Sequence, residues 1–266
     1  MSAIDDLIRA RAGQSAATDR GTPADQAMIY CDRLVRIFTV AGIEVQALQG
    51  LDLVVQPGEL TALIGASGSG KSTLLGILAA LDVPTGGQAV VSGQNLGAMS
   101  AADRLAYRRS VVGFLWQQTS RNLFAHLTAA QNVMLPMKLA GLGRQQRQQR
   151  TSDLLGLLGV ADCRDQLVPE MSGGQQQRVA VAVALANDPQ VLLADEPTGE
   201  LDSQTAEQVF AALRTANAEL GVTVLIVTHD SGVSEQVRRT IAIRDGRIST
   251  EVLRRTATDE AGQEEL

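Results

Sequence analysis

Glu59-Leu60-Thr61-Ala62-Leu63-Ile64, running without a break into Gly65-Ala66-Ser67-Gly68-Ser69-Gly70-Lys71-Ser72-Thr73, decides the fold of this chain. The first six residues read as a buried strand and the glycine-rich stretch as a turn. Residues 73–81 carry apolar side chains on most faces, which suits a helix packed inside a sandwich. A glycine-rich turn between a strand and a helix start gathers backbone N–H donors and the positive end of a helix dipole at one point. It therefore suits a triphosphate. Gly70 permits close approach of the backbone, Lys71 supplies a cation, the Ser72 hydroxyl is spaced to reach Mg2+, and Thr73 can add a phosphate contact. A Gly-x4-Gly-Lys-Ser/Thr match arises by chance in about one chain of this length in a hundred. The strand before it and the helix after it supply the context that a bare glycine turn lacks.

Outward from this stretch the chain alternates strands and helices, which points to the α/β class. Residues 47–55 look like a strand, and Pro84-Thr85-Gly86-Gly87 is a turn before a short strand at 89–91. From about 99 to 170 the pattern is helical and polar, so this segment is expected as an inserted helical subdomain. Within it, residues 145–150 read as a solvated helix face, and Leu154, Leu155, Leu157 and Leu158 as an apolar stripe. The rhythm resumes with a helix after Ser172, a strand at 191–194, a helix from about 203, a strand at 222–227 and a hairpin at 240–248. One domain at 29–250 is expected, with a flexible extension at 1–28 and an acidic tail at 251–266.

Composition narrows the partners. The 266 residues carry a net charge of −6 with only 3% aromatics, so neither electrostatics nor base stacking favours nucleic acid. Cys31 and Cys163 stand in no ligand spacing and are expected as reduced thiols. The start lacks a signal-peptide pattern, and no run of about 18 apolar residues exists. A cytoplasmic location is expected, with any membrane association coming through a partner.

Three further positions carry chemistry. Asp195 and Glu196 end the apolar strand at 191–194; one carboxylate there can hold Mg2+ through water while its neighbour orients or deprotonates an attacking water. His229, after the strand at 222–227, stands where it can stabilise a γ-phosphate. Gln117 closes another apolar strand, Val111-Val112-Gly113-Phe114-Leu115-Trp116.

Taken in order, residues 30–250 resemble the nucleotide-binding subunit of ATP-binding cassette (ABC) transporters. Residues 65–72 match the family's Walker A motif, Gln117 its Q-loop and Met171-Ser172-Gly173-Gly174-Gln175 its signature. Residues 191–196 match Walker B, Leu201-Asp202 the D-loop and His229 the switch histidine. Phe38 stands where an adenine-stacking aromatic is expected. The resemblance implies a P-loop NTPase fold with a mixed RecA-like core, an antiparallel β subdomain and the helical insertion. It also implies that Gly65, Ser67, Gly68, Ser69, Gly70, Lys71, Ser72 and Thr73 hold ATP, with Ser72, Gln117 and Asp195 around Mg2+. Glu196 is implied as general base, assisted by His229 and Gln117. Two copies would face head to tail, so that Ser172, Gly173, Gly174, Gln175 and Asp202 serve the partner's ATP. An integral-membrane permease would receive the helical insertion, holding the subunit on the inner face of the membrane.

Ala194-Asp195-Glu196-Pro197-Thr198-Gly199-Glu200-Leu201-Asp202-Ser203 is similar to the lipoprotein-releasing, macrolide-exporting and cell-division branch of the family. There the permease exports, extracts lipoproteins or transmits force. A soluble ABC ATPase of the iron–sulfur assembly kind is the alternative; the repair or translation kind needs coiled coils or a second cassette. Met171 replaces the usual Leu, Val183 the usual Arg and Glu200 the usual Asn. The last two are expected to weaken closure of the isolated pair.

Overall fold

The computed structural model describes residues 26–199 and 201–253. Among the described residues, ten strands form two sheets. The smaller is antiparallel, in the order β2 (Ile43–Val55), β1 (Ile29–Val40), β4 (Gly86–Val91), β5 (Gln94–Asn95). The larger runs β10 (Arg247–Leu253), β9 (Arg239–Arg244), β3 (Leu60–Ile64), β8 (Thr223–Thr228), β7 (Val191–Asp195), β6 (Val112–Leu115). Its strands are parallel except β10, which pairs antiparallel with β9.

Parallel neighbours need crossover connections, and helices supply them. They are α1 (Lys71–Leu78), α2 (Ala101–Ser110), α3 (Ala129–Leu139), α4 (Arg144–Leu157), α5 (Gly173–Leu185) and α6 (Ser203–Leu220). Local sequence fixes their starts. Ser100, Thr128 and Ser172 each close a reciprocal capping box three residues on, with Asp103, Gln131 and Gln175. Asp202 caps α6 alone, accepting from the amides of Gln204 and Thr205.

The strands of the large sheet are apolar on both faces because two cores meet there. Alternate residues divide between them. Ala62, Leu192, Ala194, Val224 and Ile226 join the core beneath α3 to α6. Leu63, Val191, Leu193, Leu225 and Val227 join the core shared with α1 and the small sheet. Helix α1 is thus held between sheets, as its apolar faces require.

Several boundaries differ from expectation. Helix α1 already starts at Lys71 and ends at Leu78, because Leu81 and Asp82 fold back to donate to Gly76 O. Residues 26–28 are tied in: Met28 N donates to Val55 O at 2.9 Å, and Ser92 N to Met28 O at 2.8 Å. Strand β10 runs to Leu253, whereas β6 falls where the apolar run at 111–116 places a strand, within the segment otherwise read as helical. Arg150, read as part of a solvated face, is buried. Its guanidinium donates to Leu185 O at 3.1 Å and lies 3.5 Å from Asp188 Oδ1, where it meets the C-terminal end of α5. The expectations for residues 1–25, Glu200 and 254–266 lie outside the described residues.

Candidate functional site

The C-terminal ends of β3, β6, β7 and β8 open on one cleft of about 650 Å³, where ligands of open parallel sheets bind. Each strand delivers one piece. β3 feeds the glycine loop, whose Ser67, Gly68, Gly70, Lys71, Ser72 and Thr73 line the cleft; β6 brings Gln117, β7 brings Asp195 and Glu196, and β8 brings His229. A larger groove of about 820 Å³, bordered by Arg109, Gln149 and Asn187, holds none of these residues.

The loop's shape depends on two glycines. Gly70 has φ +102°, and a Cβ there would lie 2.6 Å from Ala47 O. A Cβ on Gly65 would meet Ile243 O at 2.4 Å. The β9–β10 turn braces the loop from behind: Gly246 N donates to Ser69 O at 3.0 Å, while Gln49 N donates to Gly246 O at 3.0 Å. Lys71, only 7% exposed, curls back so that Nζ donates to Gly65 O at 2.7 Å and Ala66 O at 2.8 Å. An ammonium has three donors, and these two bonds leave one for an anion. The Ser69 hydroxyl is buried with no partner among the described residues.

Asp195 is half-buried. Burial pushes its carboxyl above the usual aspartate range, Glu196 pushes the same way, and Lys71 and Arg121 pull against them. Glu196 turns the chain sharply, at φ +47°, a conformation that costs a non-glycine residue. Its side chain is 11% exposed and held from two sides. Thr228 Oγ1 donates to Oε2 at 2.8 Å, while His229 N and Nδ1 both lie 2.9 Å from Oε1. In the tautomer with the proton on Nδ1, the ring donates to this oxygen and Nε2 is left as an acceptor. Thr228 was not singled out from the sequence, where the stretch drew notice only for His229. Its hydroxyl also accepts from Asp230 N at 3.0 Å, so the three residues form one support.

The remaining expected site residues lie outside this cleft. Ser172 and Gln175 cap α5, with Ser172 N donating to Gln175 Oε1 at 2.8 Å and Gln175 N to Ser172 Oγ at 3.3 Å. Ser172 and Gly173 are exposed. Gly174 is buried against α6: a Cβ there would lie 2.4 Å from Thr205 Cγ2. Asp202 accepts from Thr205 Oγ1 at 2.6 Å, and this bond foremost holds its carboxyl below the usual aspartate range. Phe38 sits on β1 with the Arg36 guanidinium 4.3 Å from its ring centroid. Arg36 is itself held by both carboxylate oxygens of Asp82, at 2.8 Å each. Val183 is partly buried against the helical core.

A loop of amides, a lysine and a hydroxyl facing two carboxylates, a carboxamide and an imidazole can hold a polyphosphate and activate a water beside it. Comparison with known proteins agrees. The family model described as "ABC transporter" matches residues 48–199. Over 226 residues the chain is 43% identical to "Macrolide export ATP-binding/permease protein MacB" of Syntrophobacter fumaroxidans, covering 84% of this chain and 31% of that one. It therefore spans about a third of that relative. It is 40% identical over 223 residues to "Lipoprotein-releasing system ATP-binding protein LolD 1" of Rhodospirillum rubrum, covering 84% of this chain and 98% of that one. Among solved structures it is similar to the dimeric MJ0796, described as a bacterial ABC transporter cassette: TM-score 0.77, 36% identity, 86% of this chain and 100% of that one. A dimeric post-hydrolysis state of MJ0796 bound to ADP and Pi gives TM-score 0.77 at 35% identity, with the same coverage.

Proposed function

This chain belongs to the ABC transporter ATP-binding family, in its macrolide-export and lipoprotein-releasing branch, and from that premise we propose an ATPase that works as a head-to-tail pair beneath a membrane permease. One observation carries the pairing. The cleft at the strand ends is lined by the glycine loop, Gln117, Asp195, Glu196 and His229, while the donors at the start of α5 stand outside it. The first amides of a helix have no intrahelical acceptor, so those of Gly173 and Gly174 are available to a phosphate brought by a second copy. The Ser172 hydroxyl, which accepts from Gln175 N, keeps its own proton to donate.

Within one copy, the glycine loop and Lys71 hold the β- and γ-phosphates. The hydroxyl of Ser72, the carboxamide of Gln117 and the carboxylate of Asp195 are hard oxygen donors on one cleft, a set that fits Mg2+. When bound, the ion neutralises charge that develops on the phosphoryl oxygens. For Asp195, whose carboxyl is raised foremost by burial, the ion would be a compensating cation. Glu196 accepts a proton from the attacking water, and Thr228 and His229 aim its carboxylate. Phe38, whose ring carries the Arg36 guanidinium on one side, would offer an aromatic surface for the adenine to stack on.

The chain uses this cycle to drive a permease; no described helix is long and apolar enough to cross a membrane. Two experiments test the reading. The purified chain is expected to release phosphate from ATP only with Mg2+, and to lose this with Lys71→Ala. Extraction from membranes in detergent is expected to bring an integral-membrane partner with it. Recovery only with soluble scaffold proteins sinks the transporter part.

A further inference from the structure

The carboxamide of Gln177 connects three parts of the site that the chain separates widely. Gln177 lies on α5, five residues after Ser172, and is only 2% exposed. Its Nε2 donates to Pro197 O at 2.9 Å, and its Oε1 accepts from Thr119 Oγ1 at 3.1 Å. Pro197 is the residue after Glu196, whose backbone is held at φ +47°. Thr119 lies two residues after Gln117. One side chain of the signature helix therefore touches both the turn that carries the base and the loop that carries Gln117.

Both attachments are stiff, so a displacement passes through them. Asn122 staples the loop around Gln117: its Oδ1 accepts from Trp116 N at 2.9 Å, and its Nδ2 donates to Trp116 O at 2.8 Å and Gln118 O at 3.2 Å. On the other side, proline fixes φ in the turn after Glu196. A buried carboxamide costs free energy unless both ends are bonded, and Leu would fill similar space without directional demands. Packing alone does not call for an amide here.

We propose that Gln177 is a positioning residue, which sets the placement of Glu196 against Gln117 according to where the signature helix lies. This deepens the ATPase reading and rests on it. When a second copy engages the start of α5, or the permease moves the helical insertion, the shift reaches Glu196 and Gln117 together through one amide. Gln177 touches no substrate, so its loss acts on turnover and leaves ATP binding intact.

The test is steady-state phosphate release by the full chain with Mg2+ and ATP, beside thermal melting. Gln177→Leu leaves the buried Pro197 carbonyl without its donor and is expected to lower kcat about 10-fold, with KM within about 2-fold and a Tm lower by no more than about 8 °C, so that the chain stays folded at the assay temperature. Gln177→Glu keeps the acceptor for Thr119 but offers Pro197 O no proton, and should lose as much. Thr119→Val, at a half-buried position that tolerates the change, is expected to lower kcat about 3-fold, Thr119→Ser to restore it, and Thr119→Val to add nothing once Gln177 is Leu. Three results overturn the proposal: kcat of Gln177→Leu within about 2-fold of wild type, an equal effect of Thr119→Val in both backgrounds, or activity lost in step with Tm and with a rise in KM. Unchanged activity in Gln177→Leu beside an active wild type removes the coupling and leaves the ATPase standing. A wild type that releases no phosphate overturns both.

Discussion

Glu196→Gln removes the basic oxygen while leaving a side chain of the same length among the same donors. The amide oxygen can take the place of Oε1 and accept from His229 N and Nδ1, each at 2.9 Å. The amide nitrogen then faces Thr228 Oγ1, which lies 2.8 Å from Oε2. That hydroxyl already accepts from Asp230 N, and it has a second lone pair for the new donor. Only the Thr228 hydroxyl proton loses its acceptor, a cost of about 1 kcal/mol, so the Tm should fall by no more than about 4 °C. Turnover should fall much further. Losing a general base costs about 10²- to 10⁴-fold, and the lower end corresponds to about 2.7 kcal/mol in the barrier. Under the proposed pairing, blocked hydrolysis with ATP bound would leave the pair closed. Phosphate release measured beside size-exclusion chromatography in Mg2+ and ATP reads both effects. A kcat within about 3-fold of wild type, or a variant that stays monomeric under ATP, refutes the reasoning.

Three more perturbations separate the parts of the site. Lys71→Ala deletes the cation that the loop carbonyls hold in place, so ATP affinity by fluorescent-nucleotide titration should fall about 10-fold or more; equal affinity counts against the loop as the phosphate site. Gly246→Ala puts a Cβ 2.6 Å from Ala47 O at φ +70°, where a left-handed backbone alone costs about 1–2 kcal/mol. Because Gly246 braces Ser69, both Tm and the KM for ATP should worsen; a change in neither removes the brace. Asp202→Ala removes a cap whose carboxyl is held below its usual range, chiefly by the Thr205 hydroxyl. The folded value being the lower one, the stabilisation is full above the ordinary aspartate pKa and fades as pH falls through the lowered value. The Tm deficit of Asp202→Ala should therefore be present at neutral pH and shrink in acid; a deficit that does not change with pH contradicts the assignment.

The parts legible in the sequence are those whose constraints are local. Gly65 and Gly70 stand where backbone comes within van der Waals distance, so a residue-type rule finds them. Strand periodicity likewise exposes the large sheet, whose strands divide alternately between two cores. What escaped depends on partners far along the chain. Arg150 looked like one more charge in a polar run, because the carbonyl it serves is that of Leu185. Thr228 was hidden beside a more conspicuous histidine, and its role needs the Glu196 carboxylate brought over from another strand. The end of β10 gave no pattern because the edge strand has no buried face after Ile248; Leu253 is 71% exposed. Residues 26–28 looked like part of a loose extension, yet their anchors are Val55 and Ser92.

The same local grammar builds helix starts with different fates, and the difference lies in single residues. Helices α2 and α5 both begin with serine in a capping box. In α2 the third residue is Asp103, so a carboxylate occupies the positive end of the helix and satisfies its dipole internally. In α5 the third residue is Gln175, which completes the same two bonds without charge, and no acid stands in the first turn. Gly173 and Gly174 occupy the two positions before it and bring no side chain of their own over the helix start; Gly173 is exposed, while Gly174 packs against Thr205 of α6. A neutral cap, bare amides and exposure at Ser172 leave the positive end of α5 unneutralised and accessible. Under the proposed pairing, closure of a second copy upon it is favourable only when that copy brings an anion, so ATP in one cleft would govern whether two copies hold together.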